Sequence, residues 1–79
     1  MWHLKTKLGT FWVMEANTKD SKYLLGIDDE ELAAFDDPSD AAKHVLEQET
    51  GYFKWDCLSR IKVPEQLEGW QQGEPEEWH

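Results

Sequence analysis

The stretch "FDDPSDAAKHVLEQETGYFKWD", residues 35–56, carries the densest local signals in the chain. Asp37 followed by Pro38 reads as a helix start. The aspartate accepts from the first free N–H groups, and the proline takes the first helical position, where its missing N–H costs nothing. From there Ala41, Ala42, Val45, Leu46 and Glu49 recur on one stripe of a 3.6-residue period, so the helix is expected to run through "SDAAKHVLEQE". Lys43 and Glu47 are four apart, which suits an ion pair on the wet face. Gly51 is expected to end the helix, with Tyr52 packing back on its last turn. Beyond it, Phe53, Trp55 and Cys57 share one parity, and Tyr52, Lys54 and Asp56 the other. A strand over these residues would send the first set inward, which places the aromatic run where a helix returns to its sheet.

Upstream, "IDDEELAAF" (27–35) combines Asp28 at a cap position, Glu31 as its partner at the third helical residue, and Ile27 and Leu32 as a hydrophobic staple. This predicts a short helix, closed before Pro38. Residues 2–8 alternate, with Trp2, Leu4 and Leu8 opposite His3, Lys5 and Lys7, as in a strand with one buried face. Gly9 marks a bend or bulge. "TFWVMEA" (10–16) is the strongest strand signal and is partly apolar on both faces, which suits a central strand or helix cover. A polar turn over 17–22 joins it to the strand "YLLGI" (23–27), and the two form a hairpin.

Downstream, "LSRIKV" (58–63) reads as a further strand ended by Pro64. "PEQLEGW" (64–70) reads as one helical turn that brings Leu67 and Trp70 together. After Gly69 the chain is polar and acidic. The expected fold is therefore α+β, a small antiparallel sheet of about three to four strands packed on one main helix that a short helix precedes. The expected boundaries are a single acidic domain over residues 1–72 and a mobile tail over 73–79.

With 79 residues and one cysteine, no internal disulfide supports the core; five tryptophans point instead to aromatic packing. Seventeen Asp and Glu against eight Lys and Arg give a net charge of −9. That balance argues against a protein that grips nucleic-acid phosphates or anionic membranes directly, and it suits solubility or a protein partner with a basic surface. No run is long and apolar enough to span a membrane, and the N-terminus lacks an apolar run of signal length, so a cytoplasmic location is expected. Small size and acidity also suit a phage or mobile-element product.

No chemical motif stands out. Cys57, His44 and Asp56 are the residue types a thiol enzyme needs, yet the cysteine's parity with Phe53 and Trp55 predicts a buried, inert thiol, and His44 reads as a residue at the border of the apolar stripe. The histidines lack metal-ligand spacing, and the acids at 28–31, 36–37 and 40 are interrupted by leucine, alanines and phenylalanine where a calcium loop needs oxygens. No cofactor is expected. The reading favoured is a non-catalytic protein-interaction or accessory domain, with Trp12, Tyr52, Trp70 and Trp78 as candidate interface residues. An acidic decoy that mimics nucleic acid and a small hydrolytic or thiol enzyme are the alternatives.

Overall fold

A computed structural model describes residues 1–16, 22–59 and 61–73. Among these, the chain forms strands β1 (Trp2–Thr6), β2 (Gly9–Glu15), β3 (Tyr23–Ile27) and β4 (Glu30–Phe35), helix α1 (Pro38–Leu46), a one-turn helix α2 (Phe53–Asp56), a 3₁₀ turn (Leu67–Gly69) and strand β5 (Gln71–Gln72). The strands make one antiparallel sheet in the order β4-β3-β2-β1-β5. An antiparallel sheet packed against helices is the architecture expected. The sheet has five strands where about three to four were expected, because two of them arise from segments read otherwise.

The strong apolar segment β2 lies in the middle, paired with β1 on one side and β3 on the other. Side chains alternate across a strand, so the register sorts them into faces. Phe11 and Val13 sit beside Leu4 and Trp2 of β1 and beside Ile27 and Leu25 of β3. On this face Phe11, Val13, Leu25 and Ile27 are buried together with Ala41, Ala42 and Val45 of α1. The two alanines let α1 approach β3 and β4 closely. Each large apolar side chain removed from water here contributes roughly 1.5–3 kcal/mol.

The opposite face carries His3, Trp12 and Gly26 in one row. Trp12 lies across Gly26: a Cβ on that glycine would overlap the indole ring. The Trp12 indole N–H donates to the Asp28 carbonyl at 2.8 Å. His3, placed by alternation on the outward side, is nonetheless buried; its Nδ1 lies 2.7 Å from the Gly73 carbonyl.

The expected helix over 28–35 is absent, and the segment is instead a turn followed by β4. Asp28 adopts a left-handed φ of 49°, and Ile27 pairs with Glu30 across a two-residue turn. Its carboxylate accepts from the Thr10 N–H at 3.0 Å, and its own N–H donates to the Thr10 carbonyl at 3.0 Å. The acid that resembled a helix cap thus fastens this turn to β2. Gly9 allows it, since a Cβ there would overlap the Asp28 carboxylate and its φ is 147°. Ala33 faces Leu25 while Glu31 faces Gly26, which leaves Leu32 as the extra residue of a β-bulge. Leu32 and Phe35 both pack against the core from this bulged strand, and their separation of three residues also suits a helical face.

Helix α1 starts as its sequence predicts: the Asp37 carboxylate accepts from the Ser39 N–H at 2.8 Å, and Pro38 is the first helical residue. Lys43 and Glu47 pair at 4.0 Å on the exposed side. The helix stops at Leu46, earlier than expected. Gln48, with φ 57°, takes the left-handed position expected of Gly51. The Glu49 N–H bonds to the His44 carbonyl at 2.9 Å and the Gln48 N–H to the Val45 carbonyl at 3.2 Å, which is the paired Schellman ending.

One further expectation is corrected. Residues 58–63 form no strand among those described; Ile61 and Val63 are half-buried and pack on the core from an irregular segment. Gln71 and Gln72, for which no strand was expected, pair with His3 and Trp2 as edge strand β5. The turn before them holds Leu67 and Trp70 together as expected, both buried. Of the expected turn over 17–22, residues 17–21 lie outside the described residues, as do residues 74–79 of the expected tail over 73–79. No helix among the described residues is long and apolar enough to cross a membrane.

Candidate functional site

The segment that follows α1 is the most distinctive part of the molecule. The strand expected over 53–57 is the short helix α2, and two of the three side chains expected inside are outside: Phe53 is 80% exposed, and Cys57 is exposed. Only Trp55 goes inward, at 2% exposure. The physical reason is a set of polar side chains that hold the chain in a tight reversal, which period-two alternation does not register.

Three groups build this brace. The Asp56 carboxylate accepts from the Thr50 N–H at 3.0 Å, the Thr50 hydroxyl at 2.7 Å and the Gly51 N–H at 2.9 Å. The Thr50 hydroxyl oxygen in turn accepts from the Tyr52 N–H at 3.0 Å. Gln48 donates its amide to the Trp55 carbonyl at 2.8 Å and the Leu58 carbonyl at 2.6 Å, so it supplies donors at the C-terminal end of α2, where carbonyls lack N–H partners. The Trp55 indole N–H donates to the Val45 carbonyl at 3.0 Å, and its ring meets Phe11 edge-on with centroids 4.9 Å apart. One aromatic ring therefore ties the last turn of α1, the helix α2 and the central strand to one another.

Hydrogen bonds to an ionised group contribute roughly 1.5–3 kcal/mol each, less where water competes. Asp56→Ala should therefore lower stability by about 1–3 kcal/mol. It should also make the 50–57 segment a preferred site of limited proteolysis. Urea melts and timed digestion check this; an unchanged midpoint with unchanged cleavage would show that Asp56 does not brace the loop.

The thiol-enzyme residues are each engaged separately. His44 Nδ1 lies 2.8 Å from the Asp40 carbonyl, and its ring lies 4.7 Å from that of Phe35. Asp56 holds Thr50 and Gly51, and the Cys57 thiol reaches the Lys54 carbonyl at 3.9 Å. These contacts run to different parts of the chain. Among the described residues no group of three or more His, Cys, Asp or Glu is placed to hold a metal ion.

Of the candidate interface residues, Trp12 is 8% and Trp70 4% exposed, so both rings are covered. Tyr52 is half-buried at the start of α2, and Trp78 is outside the described residues. Phe53 was missed as a surface residue because its parity matched Trp55. The signal that would have found it is polar: Gln48, Thr50 and Asp56 flank the aromatics at spacings that suit a folded-back loop better than a strand.

Comparisons with protein-family models, with curated protein sequences and with solved structures find no match for this chain.

Proposed function

We propose that this chain is a non-catalytic interaction domain that presents Phe53 to a protein partner. The observation that carries the reading is an 80% exposed phenylalanine at the start of α2, a helix whose flanking backbone is held by Asp56, Thr50 and Gln48. A large ring left in water on a floppy segment would be unremarkable. On a braced one, the conformational cost of binding has already been met by folding, so more of the contact energy appears as affinity. Tyr52, half-buried on the preceding residue, extends the apolar contact. The chain's charge of −9 favours a partner whose pocket is surrounded by basic groups, through faster encounter.

Phe53→Ala separates binding from folding. A side chain this exposed contributes little to stability, so the melting curve should stay within about 0.5 kcal/mol of the parent. Loss of a central aromatic anchor should weaken capture of a partner by about 2 kcal/mol or more, roughly thirtyfold. The measurement is a quantitative pull-down from host extract with both proteins, at low and high salt. Equal recovery of every captured protein by parent and variant would remove the basis of the proposal.

A further inference from the structure

A second surface adjoins Trp55. Lys5, Thr6 and Lys7 at the end of β1, with Trp55, Ile61 and Lys62, line an open groove of about 290 Å³. Three of the eight cationic residues of the chain meet here, and among the described residues no carboxylate lines the groove. The contrast with the rest of the molecule is sharp. Residues 1–14 contain no Asp or Glu, whereas seven acids fall between Asp28 and Asp40 with no Lys or Arg among them. The sheet order puts β1 near one edge and β4, with Glu30 and Glu31, at the other, while the Asp28 carboxylate lies by Gly9 and Thr10 of the central strand. The second large groove, which includes Asp40, Glu47, Glu65 and Glu68 in its wall, is acidic.

Distance decides whether the net charge cancels this local excess. From β4 to β1 is three strand spacings, roughly 14 Å. Screening in physiological salt falls off over about 8 Å. An anion seated on Lys7 and Lys62 therefore feels those ammonium groups strongly and the acids of the β4 edge weakly. A macromolecular anion, or a second copy of this chain, reaches beyond the groove and meets the acidic remainder. Size points the same way, since ligand cavities start near roughly 300 Å³. The half-buried Ile61 and the edge of Trp55 add an apolar wall beside the charges.

We propose that this groove binds a small organic polyanion, its acidic groups on Lys7 and Lys62 and its apolar body against Ile61 and the edge of Trp55. The site is separate from Phe53, and either can fail without the other.

The test is a titration of the isotope-labelled full chain followed by amide chemical shifts. Inorganic tripolyphosphate should give saturable shifts at Lys5–Lys7 and at Ile61–Lys62. The variant Lys7→Gln with Lys62→Gln should bind at least tenfold more weakly, Lys7→Arg with Lys62→Arg should retain binding, and Lys43→Gln with Lys54→Gln should match the parent. Phenyl phosphate should bind at least threefold more tightly than inorganic phosphate. Unsaturable shifts spread over all lysines, or equal binding by the glutamine variant, would overturn the site. Equal affinity for phenyl phosphate and phosphate would overturn the apolar contact. Tighter binding of a hexaglutamate peptide than of phenyl phosphate or tripolyphosphate would assign the groove to an acidic protein segment and overturn the small-ligand proposal.

Discussion

Trp55→Ala is expected to leave the chain largely unfolded at room temperature. Truncating a buried tryptophan costs about 3–5 kcal/mol, through lost burial and the cavity left behind. The bond from its indole to the Val45 carbonyl adds roughly 0.5–1.5 kcal/mol. At roughly 0.05–0.15 kcal/mol per residue, a chain of 79 residues has about 4–12 kcal/mol in total. The single change therefore removes much or all of it. The position matters as much as the size: Trp55 touches Phe11 in the central strand and closes the last turn of α1. Trp55→Phe keeps most of the area and loses the hydrogen bond, so it should fold with a midpoint lowered by about 1–2 kcal/mol. Circular dichroism and urea melts read both variants. A folded Trp55→Ala protein with a near-parental midpoint would show that the ring is not the joint between helix and sheet.

Gly26→Ala should be nearly as damaging, for a different reason. The backbone at Gly26 needs no left-handed conformation, so alanine is not excluded by φ. What excludes it is the Trp12 indole, which occupies the space a Cβ would take. Inserting the methyl displaces the ring and breaks its bond to the Asp28 carbonyl, at a cost of about 2–4 kcal/mol from overpacking and the lost hydrogen bond. A double-mutant cycle identifies the cause. On a Trp12→Leu background, which is itself less stable, Gly26→Ala should be close to neutral, or stabilising by about 0.5–1 kcal/mol because alanine restricts the unfolded chain more than glycine. The same penalty on both backgrounds would show that the ring is not what forbids the side chain.

These two contacts mark the border between what was legible in the sequence and what was not. The aromatic and β-branched run of β2, apolar on both faces, pointed to a strand that is central or covered by a helix, because such a run must be buried on both sides. Asp37 and Pro38 announced the start of α1, because capping is decided within three residues. The Leu67–Trp70 clasp was readable from spacing alone. At Asp28 the same local logic failed. Its carboxylate suits a helix N-cap and a turn equally, and a residue eighteen positions away, Thr10, decided between them. At 53–57, alternation predicted a strand, whereas Asp56 and Gln48 fold the segment back and turn Phe53 outward.

Composition and short-range patterning determined that this chain would build an aromatic-rich α+β core without disulfides, with a capped helix against a central strand. Those outcomes depend on the hydrophobic period and on bonds between near neighbours, both written in consecutive residues. Tertiary structure alone decided that residues 30–35 complete the sheet, that Gln48 rather than Gly51 turns the helix end, and that Phe53 faces water. It also gathered Lys5, Lys7 and Lys62 into one groove. Each of these depends on groups far apart in the chain meeting in space, and one-dimensional periodicity carries no record of such meetings.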